Sequence, residues 1–231
     1  MRPILLDERL SLAMELFPTC EIGADIGTDH GLFPCRLLEE GRCQRMILSD
    51  ISEKALAHAQ ALVERRGLQD KTALVIANGL DCLTKPVNCV SIMGMGGRTI
   101  AEILHAGQAR LHGATLVLSA HTDLELVRQA VQDIGYHLTQ ERLCRAGNRW
   151  YVFLQAVPGS AHYSPLELVV GPCLPHSGDP MLPGYAAWRR HVWAEKLAGL
   201  RTAREPDTQE IARVEAILEA YAHMMKEDVS C

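Results

Sequence analysis

The fold is decided by residues 23–31, which read GADIGTDHG. They overlap a short apolar run, Glu21 to Ile26, that predicts a β-strand, and their glycines permit a tight turn at its carboxyl end. In open parallel α/β sheets a nucleotide-like ligand binds at this point, because backbone amides and a helix start can approach it closely. The stretch therefore predicts a ligand site in an α/β domain.

Asp25 stands at the head of this turn, and the spacing is not the Gly-x-Gly-x-x-Gly of dinucleotide-binding proteins. A carboxylate repels a pyrophosphate but attracts an ammonium group, so the turn favours S-adenosylmethionine over a dinucleotide. We expect the cofactor to be bound by Asp25, Gly27, Thr28 and His30. A purely structural Asp-x-Gly turn is the alternative that this stretch alone leaves open.

Further strand-like runs continue outward from this turn. Four of them are Arg45 to Ser49, Thr72 to Ala77, Cys89 to Met93 and Ala114 to Ser119. Each of the first five runs is followed by helical periodicity, which predicts repeated βα units and a parallel sheet with helices on both faces. Tyr136 to Leu143 and Trp150 to Val157 predict a closing hairpin. We expect an α/β, Rossmann-like fold with a seven-stranded mixed sheet, preceded by an amphipathic helix that ends at Pro18.

The C-terminal third has a different composition. Residues 159–183 are rich in proline and glycine, which predicts a linker. Beyond them, apolar residues recur at spacings of three and four on both sides of Pro206, which predicts an antiparallel two-helix hairpin. We divide the chain into a ligand-binding domain (1–158), a linker (159–183) and a hairpin (184–231). The hairpin could serve only to pack on the domain or on another subunit.

Polar residues also end the second and third predicted strands. Asp50, followed by Ile51, is placed to accept hydrogen bonds from both hydroxyls of a ribose. Asn78 can accept a hydrogen bond from the exocyclic amine of adenine, and Gly79 lets the ring lie against the backbone. Asp50 as a helix N-cap and Asn78-Gly79 as a plain turn are the alternatives.

The fourth predicted strand ends at residues 93–98, which read MGMGGR. Amino-group methyltransferases of the familiar nucleic-acid type carry a polar residue, two prolines and an aromatic residue here, and this chain does not. Its glycines instead expose backbone groups that can bind a base edge or a phosphate. We assign Gly94 to the cofactor. The residues expected at the substrate are Met95, Gly96, Gly97 and Arg98. A turn that lets the next helix approach the sheet is the alternative.

Four motifs together resemble one family. They are DIGTDH at 25–30, NGL at 78–80, GMGG at 94–97 and GP at 171–172. This combination is similar to the bacterial tRNA (adenine-N1)-methyltransferases that act on adenine 22, and the similarity spans almost the whole chain. The resemblance implies a class I methyltransferase that uses S-adenosylmethionine, with a C-terminal hairpin that helps to grip tRNA. The chain departs from the family at Ser119-Ala120-His121, where a Gln-Pro-Asn type segment is usual, and at Asn78, where an acid is usual.

Asp29 is the candidate catalytic residue. The turn contains two acids, of which the cofactor needs only the first, and a second carboxylate could stabilise a cationic methylated adenine. His121 stands where a substrate-facing loop begins, although it could equally cap a strand. Cations for the tRNA backbone are expected at Arg98, Arg128, Arg142, Arg145 and Arg149. A solvated turn is the alternative for the last three.

Composition limits the partners. The chain has 231 residues, with 23 Lys and Arg against 28 Asp and Glu, so its net charge of −5 provides no general attraction to nucleic acid. Its 8 cysteines form no Cys-x-x-Cys pair, and we expect buried thiols and no metal site. The first residues lack the pattern of a signal peptide, and no apolar run is long enough to span a membrane. We expect a cytoplasmic monomer or weak homodimer.

Two alternatives to tRNA methylation stay open from the sequence. The altered segment at 119–121 and the acidic net charge fit methylation of another RNA or of a small molecule. A non-catalytic S-adenosylmethionine-binding protein on the same fold is the alternative from a different class.

Overall fold

The computed structural model describes residues 2–226. Its strands are β1 (Cys20–Ile26), β2 (Cys43–Asp50), β3 (Thr72–Ile76), β4 (Cys89–Met95), β5 (Thr115–Ala120), β6 (Tyr136–Ala146) and β7 (Arg149–Pro158). Its helices are α1 (Glu8–Leu16), α2 (Leu32–Glu39), α3 (Glu53–Arg66), α4 (Gly97–Gly107), α5 (Leu124–Asp133), α6 (Pro165–Val170), α7 (Leu182–Thr202) and α8 (Thr208–Met224).

The strands form one 7-stranded sheet in the order β3-β2-β1-β4-β5-β7-β6. The first five pair in parallel, whereas β7 runs antiparallel to both of its neighbours. Alternate residues of neighbouring strands enter two apolar clusters, one containing Ala24 and Ile26 and the other Met46 and Leu48. Both faces are therefore covered, and the predicted seven-stranded mixed sheet is confirmed.

One of the predicted βα units is wrong. The connection from β3 to β4 contains a short 3-10 helix, Gly79–Cys82, and no α-helix within it. Gly79 has a φ of +53°, and Pro86 further along lacks the N–H that a continuing helix needs. The carboxyl end of β3 is consequently left without an α-helix directly after it.

The segment expected to be a linker is folded onto the domain. Helix α6 begins with a capping box, in which Ser164 and Glu167 each satisfy the other's backbone N–H. Val169, Val170 and Leu174 are buried in the same apolar cluster as the sheet. Residues 159–183 thus join the domain and the hairpin through a shared core.

Helices α7 and α8 form the predicted hairpin, and Tyr185 and Tyr221 bury it against the domain core. Trp188, Val192 and Met225 in this part of the chain are 41%, 39% and 38% exposed. The part of the hairpin around Tyr185 and Tyr221 is buried against the domain, whereas these three side chains lie partly in solvent. Residues 227–231 of the predicted hairpin lie outside the described part of the chain.

A buried ion pair connects the sheet to α6. Arg128 on α5 and Glu141 on β6 both have 0% side-chain exposure, with the Arg128 Nε 2.8 Å from the Glu141 Oε1. Arg128 Nη1 also donates to the carbonyls of Leu168 and Val169 at 2.7 and 3.1 Å. The expectation that Arg128 contacts tRNA is wrong, because its guanidinium is enclosed by the protein.

The cysteines within residues 2–226 are free thiols. Those that are buried, as predicted, are Cys35, Cys43, Cys82, Cys89 and Cys144, whereas Cys20 and Cys173 are half-buried. Cys231 lies outside the described residues.

Across residues 2–226, each helix is too short or too polar to cross a bilayer.

Candidate active site

A cavity of about 580 Å³ opens at the carboxyl edge of the parallel strands. Its volume is within the range of small-molecule sites. The sequence-predicted residues that line it are Asp25, Gly27, Thr28, Asp29, His30, Gly94 and His121. The lining residues that were not predicted include Asp7, Arg9, Met93, Ser119, Tyr151 and Phe153. The cavity therefore joins the turn after β1 to the ends of β4 and β5, the start of β7 and the N-terminal segment.

Asp25 forms the buried floor of this cavity and is 5% exposed. Its two carboxylate oxygens accept hydrogen bonds from the hydroxyls of Ser91 and Thr28, at 2.6 and 2.8 Å. Burial raises the pKa of Asp25, and the two hydroxyl hydrogen bonds oppose that rise. Among residues 2–226, no Lys, Arg or His side chain makes an ion pair with it. A buried carboxylate without a cation suits the ammonium group of a ligand, and this is the chemistry of the amino-acid end of S-adenosylmethionine.

Gly27 gives the turn its shape. Its φ is +75°, and its N–H donates to the Ser49 carbonyl at 2.7 Å. A Cβ at this position would lie 2.1 Å from the Cε of Met95, which is the flexible end of that side chain, so the cost of a larger residue comes mainly from the positive φ. Met95, which is expected at the substrate, lies with its Cε against this turn.

Asp29 and His30 stand at the mouth of the cavity, with side chains 66% and 61% exposed and 3.6 Å apart. The Asp29 N–H points to Asp50, whose Oδ2 lies 3.4 Å away. Asp50 Oδ1 accepts from the Ser52 N–H at 2.8 Å, and Ser52, not Asp50, caps α3. The helix-cap alternative for Asp50 is therefore wrong, and its carboxylate lies beside the turn after β1.

Four predicted cofactor residues lie outside the cavity itself. They are Asp50, Ile51, Asn78 and Gly79, at the ends of β2 and β3. Ile51 is 72% exposed, and Asn78 is exposed as well. Because neighbouring parallel strands end at the same edge, these residues extend the cavity along the sheet in the direction in which an elongated ligand would continue.

The glycines at the carboxyl end of β4 and directly after it have different roles. Gly94 has a φ of +79° and lines the cavity. The Gly97 N–H donates to the Thr122 carbonyl at 2.9 Å, and a Cβ on Gly97 would lie 2.2 Å from the Asp123 carbonyl oxygen. The expectation that Gly97 offers a free N–H to the substrate is wrong, because this N–H ties α4 to the loop after β5. Gly96 is the N-cap of α4, and Arg98 is exposed in its first turn.

Sequence reasoning missed the aromatic wall of the cavity. The guanidinium carbon of Arg9 lies 5.1 Å from the centre of the Tyr151 ring, and Arg9 Nε donates to Asp7 at 2.9 Å. The Tyr151 ring meets His121 edge to face, with 6.0 Å between ring centres. Tyr151 reaches this edge because β7 runs antiparallel, so that its first residues lie beside the end of β5. The direction of β7 was the available signal, since it places the start of that strand at the ligand edge.

The remaining arginines expected at tRNA differ in exposure. Arg145 and Arg149 are exposed, and the Arg145 guanidinium carbon is 5.4 Å from the centre of the Trp150 ring. Arg142 is half-buried and lies 3.7 and 3.6 Å from the carboxylates of Glu15 and Asp179. The pair Arg145 and Arg149 is therefore more accessible to a phosphate than Arg142.

Comparison with known proteins agrees with this fold. A family model for a methyltransferase domain matches residues 6–154. The tRNA (adenine(22)-N(1))-methyltransferase of Bacillus subtilis (strain 168) is 30% identical over 175 residues, which are 74% of this chain and 74% of that protein. A solved Streptococcus pneumoniae protein, proposed to be a tRNA (m1A22) methyltransferase, is 27% identical with a TM-score of 0.85, over 96% of this chain and 100% of that one. A structure of that protein in complex with S-adenosyl-L-methionine is 25% identical with a TM-score of 0.80, over the same 96% and 100%.

The strand order, the turn after β1 and the domain match together define a class I methyltransferase. The relative from Bacillus subtilis aligns with 74% of the chain and identifies the family within this class. The chain belongs to the tRNA (adenine(22)-N(1))-methyltransferase family.

Proposed function

We propose that this protein transfers the methyl group of S-adenosylmethionine to N1 of adenine 22 in tRNA. One observation carries the proposal: a single cavity contains a buried carboxylate that lacks a cation at its floor, and an exposed carboxylate with an aromatic wall at its mouth. The first arrangement suits a cationic cofactor, and the second suits a planar base that becomes cationic on methylation.

The residues of the floor fit the cofactor. Asp25 would hold the ammonium group, Gly27 and Gly94 provide close backbone approach, and Asp50 beside the turn would accept from the ribose hydroxyls. Asn78 and Gly79 at the end of β3 would meet the adenine ring. When bound there, S-adenosylmethionine supplies an electrophilic methyl group.

The aromatic wall fits a base taken out of the RNA stack. RNA-binding proteins commonly hold such bases against aromatic rings or guanidinium planes, and each stacked base contributes about 1–3 kcal/mol. Tyr151 and Arg9 form such a surface, and His121 lies against the Tyr151 ring. The segment Ser119-Ala120-His121 departs from the family pattern, and its position in the cavity wall supports a role in binding the substrate.

Asp29 is placed to assist the transfer. Adenine N1 carries its own lone pair, so the reaction requires positioning more than a strong base. The exposed Asp29 carboxylate at the cavity mouth would stabilise the positive charge that develops on the methylated ring. Asp25 lies on the buried floor, so Asp29 is the acid of the turn that is exposed at the mouth.

Individual exposed arginines, rather than the net charge of the protein, would hold the tRNA over the mouth of the cavity. Arg98, Arg145 and Arg149 are exposed, whereas Lys196 and Arg201 on the hairpin already pair with Glu210 and Glu215 at 2.5 and 2.6 Å. We assign methyl transfer to residues 1–158 and a shape-based grip on tRNA to the hairpin from residue 184 onward.

The test is methyl transfer from labelled S-adenosylmethionine into unmodified tRNA transcripts, with the nucleosides identified by mass spectrometry. We expect 1-methyladenosine, and we expect it to disappear in a transcript in which adenine 22 is replaced by guanine. Binding of S-adenosylmethionine without methylation of any transcript would overturn the proposed substrate. Methylation that survives the replacement would overturn the proposed position.

A further inference from the structure

A second group of side chains meets at the mouth of the cavity. Ligand atoms of Asp29, His30 and His58 all lie within 4.8 Å of one another. The imidazole rings of His30 and His58 stack with 5.0 Å between their centres and 16° between their planes. Across residues 2–226, no other three His, Cys, Asp or Glu side chains converge in this way.

We propose that Asp29, His30 and His58 bind a divalent cation of the zinc class, and that the bound cation inhibits methyl transfer. The metal site stands on its own geometry, whereas the inhibition rests on the proposed function because Asp29 belongs to both. The spacing in the sequence does not predict the site, since His58 comes from α3 and the other two ligands come from the turn after β1.

The chemistry of the donors selects the metal. Two imidazole nitrogens and one carboxylate oxygen are a common ligand set of zinc sites that keep a position open, with bonds of about 2.0–2.2 Å. Magnesium and calcium prefer oxygen ligands throughout, so two imidazoles select against them. The ligand atoms need to approach one another by about 1 Å to share one ion at these bond lengths, and exposed side chains such as Asp29 and His30 can do so by rotamer changes.

The surroundings also favour a cation. The Asp50 carboxylate lies beside this cluster, 3.4 Å from the Asp29 N–H, and adds a second negative charge close to Asp29. A divalent ion held there would occupy the Asp29 carboxylate and add positive charge where the methylated base must become cationic. Both effects oppose the reaction that the cavity is proposed to catalyse.

His58 allows the site to be tested without disturbing the turn. It is exposed, and it does not line the cavity. His58→Gln removes one ligand and keeps a polar side chain of similar size. His191→Gln is the matched control, because His191 is an exposed helical histidine 3.5 Å from the Glu195 carboxylate, outside this cluster.

The first measurement is calorimetric titration of the ligand-free full chain with zinc chloride at neutral pH. We expect one tight site in the wild type and in His191→Gln. Loss of a direct ligand should weaken this site in His58→Gln by at least about tenfold. Equal zinc affinity in the wild type and in His58→Gln would overturn the metal site.

The second measurement is methyl transfer into tRNA with and without zinc chloride. We expect inhibition of the wild type and of His191→Gln at zinc concentrations that leave His58→Gln active. Zinc binding that His58→Gln weakens, without this difference in inhibition, would overturn the inhibitory role. If no variant methylates tRNA even without zinc, the proposed function fails, while the titration still decides whether the metal site exists.

Discussion

Two buried carboxylates, Asp25 and Glu141, differ in how their charge is compensated. Glu141 is paired with Arg128, and its second oxygen accepts from the backbone N–H groups of Cys173 and Leu174 at 2.8 and 3.1 Å. Asp25 receives only two neutral hydroxyls and has a raised pKa. One carboxylate has a complete set of partners within the protein, and the other lacks a cation.

This difference separates structure from function. A complete buried pair contributes to the fold, and removing one partner leaves an unpaired charge. An incomplete pair is unfavourable in the free protein and becomes favourable when a cationic ligand arrives. The two carboxylates should therefore respond in opposite ways to substitution, and the expected effects below run from the largest to the smallest.

Glu141→Gln should destabilise the protein most, by about 3–5 kcal/mol in the free energy of unfolding, because Arg128 loses its counter-charge in a fully enclosed site. Denaturant unfolding would measure this. The double variant Arg128→Met, Glu141→Leu removes both charges and should recover most of the loss. A single variant as stable as the wild type would contradict the structural role of this pair.

Asp25→Asn should weaken S-adenosylmethionine binding by about 2–5 kcal/mol, because the ammonium group loses its charged partner in a buried site. Calorimetric titration of the folded variant would show this. Unchanged affinity would remove Asp25 from the cofactor site.

The same variant tests the pKa of Asp25 through stability. Because the folded-state pKa of this acid is raised, its ionised form destabilises the ligand-free protein at pH values above that pKa, and the effect vanishes below the unfolded-state pKa. We therefore expect Asp25→Asn to be at least as stable as the wild type at neutral pH, and this difference to shrink as the pH falls. The quantity to compare is the stability of the variant minus that of the wild type. If this difference were smaller at neutral pH than in acid, the raised pKa of Asp25 would be contradicted.

Asp29→Asn should lower turnover by about 100-fold and leave the affinity for S-adenosylmethionine nearly unchanged, since this carboxylate is exposed at the mouth of the cavity, away from the buried Asp25. Single-turnover methyl transfer at saturating cofactor would measure the rate. Normal turnover would exclude Asp29 from the reaction.

Tyr151→Leu should weaken the productive binding of the base by about 1–3 kcal/mol, seen mainly as a lower kcat/KM for tRNA. Tyr151→Phe keeps the ring and should retain most of the activity. Equal losses in the two variants would indicate that the hydroxyl, and not the ring, is the important group.

Arg145→Ala and Arg149→Ala should each produce the smallest change, a modest loss of tRNA affinity and a salt dependence that is lower by about one unit in slope. Arg65→Ala in the last turn of α3 is the control. A salt dependence that is the same in all three variants would rule out this pair as a phosphate contact.

The sequence predicted the sheet and the glycine turn after β1 because both depend on local patterns. Branched apolar runs specify strands, and Asp25 and Gly27 are only two residues apart at a strand end. The sequence did not reveal Ser91, which donates to Asp25, or Tyr151, which lies against Arg9. Both come from strands that are distant in the sequence and that only the sheet topology brings to this edge. Arg128 was misplaced because its charge predicted exposure, whereas Glu141 and two carbonyls satisfy it in the interior.

The position of β7 also has a consequence for the order in which the protein assembles. In the sheet, β7 lies between β5 and β6, both of which precede it in the chain. Because the ribosome releases the N-terminal segments first, β5 and β6 emerge with open edges and can join the same sheet only when residues 149–158 follow. The strands around Asp25 pair with one another before that point, whereas Tyr151 arrives with the last strand. The half of the cavity around Asp25 can therefore form early in synthesis, and the half around Tyr151 is completed last.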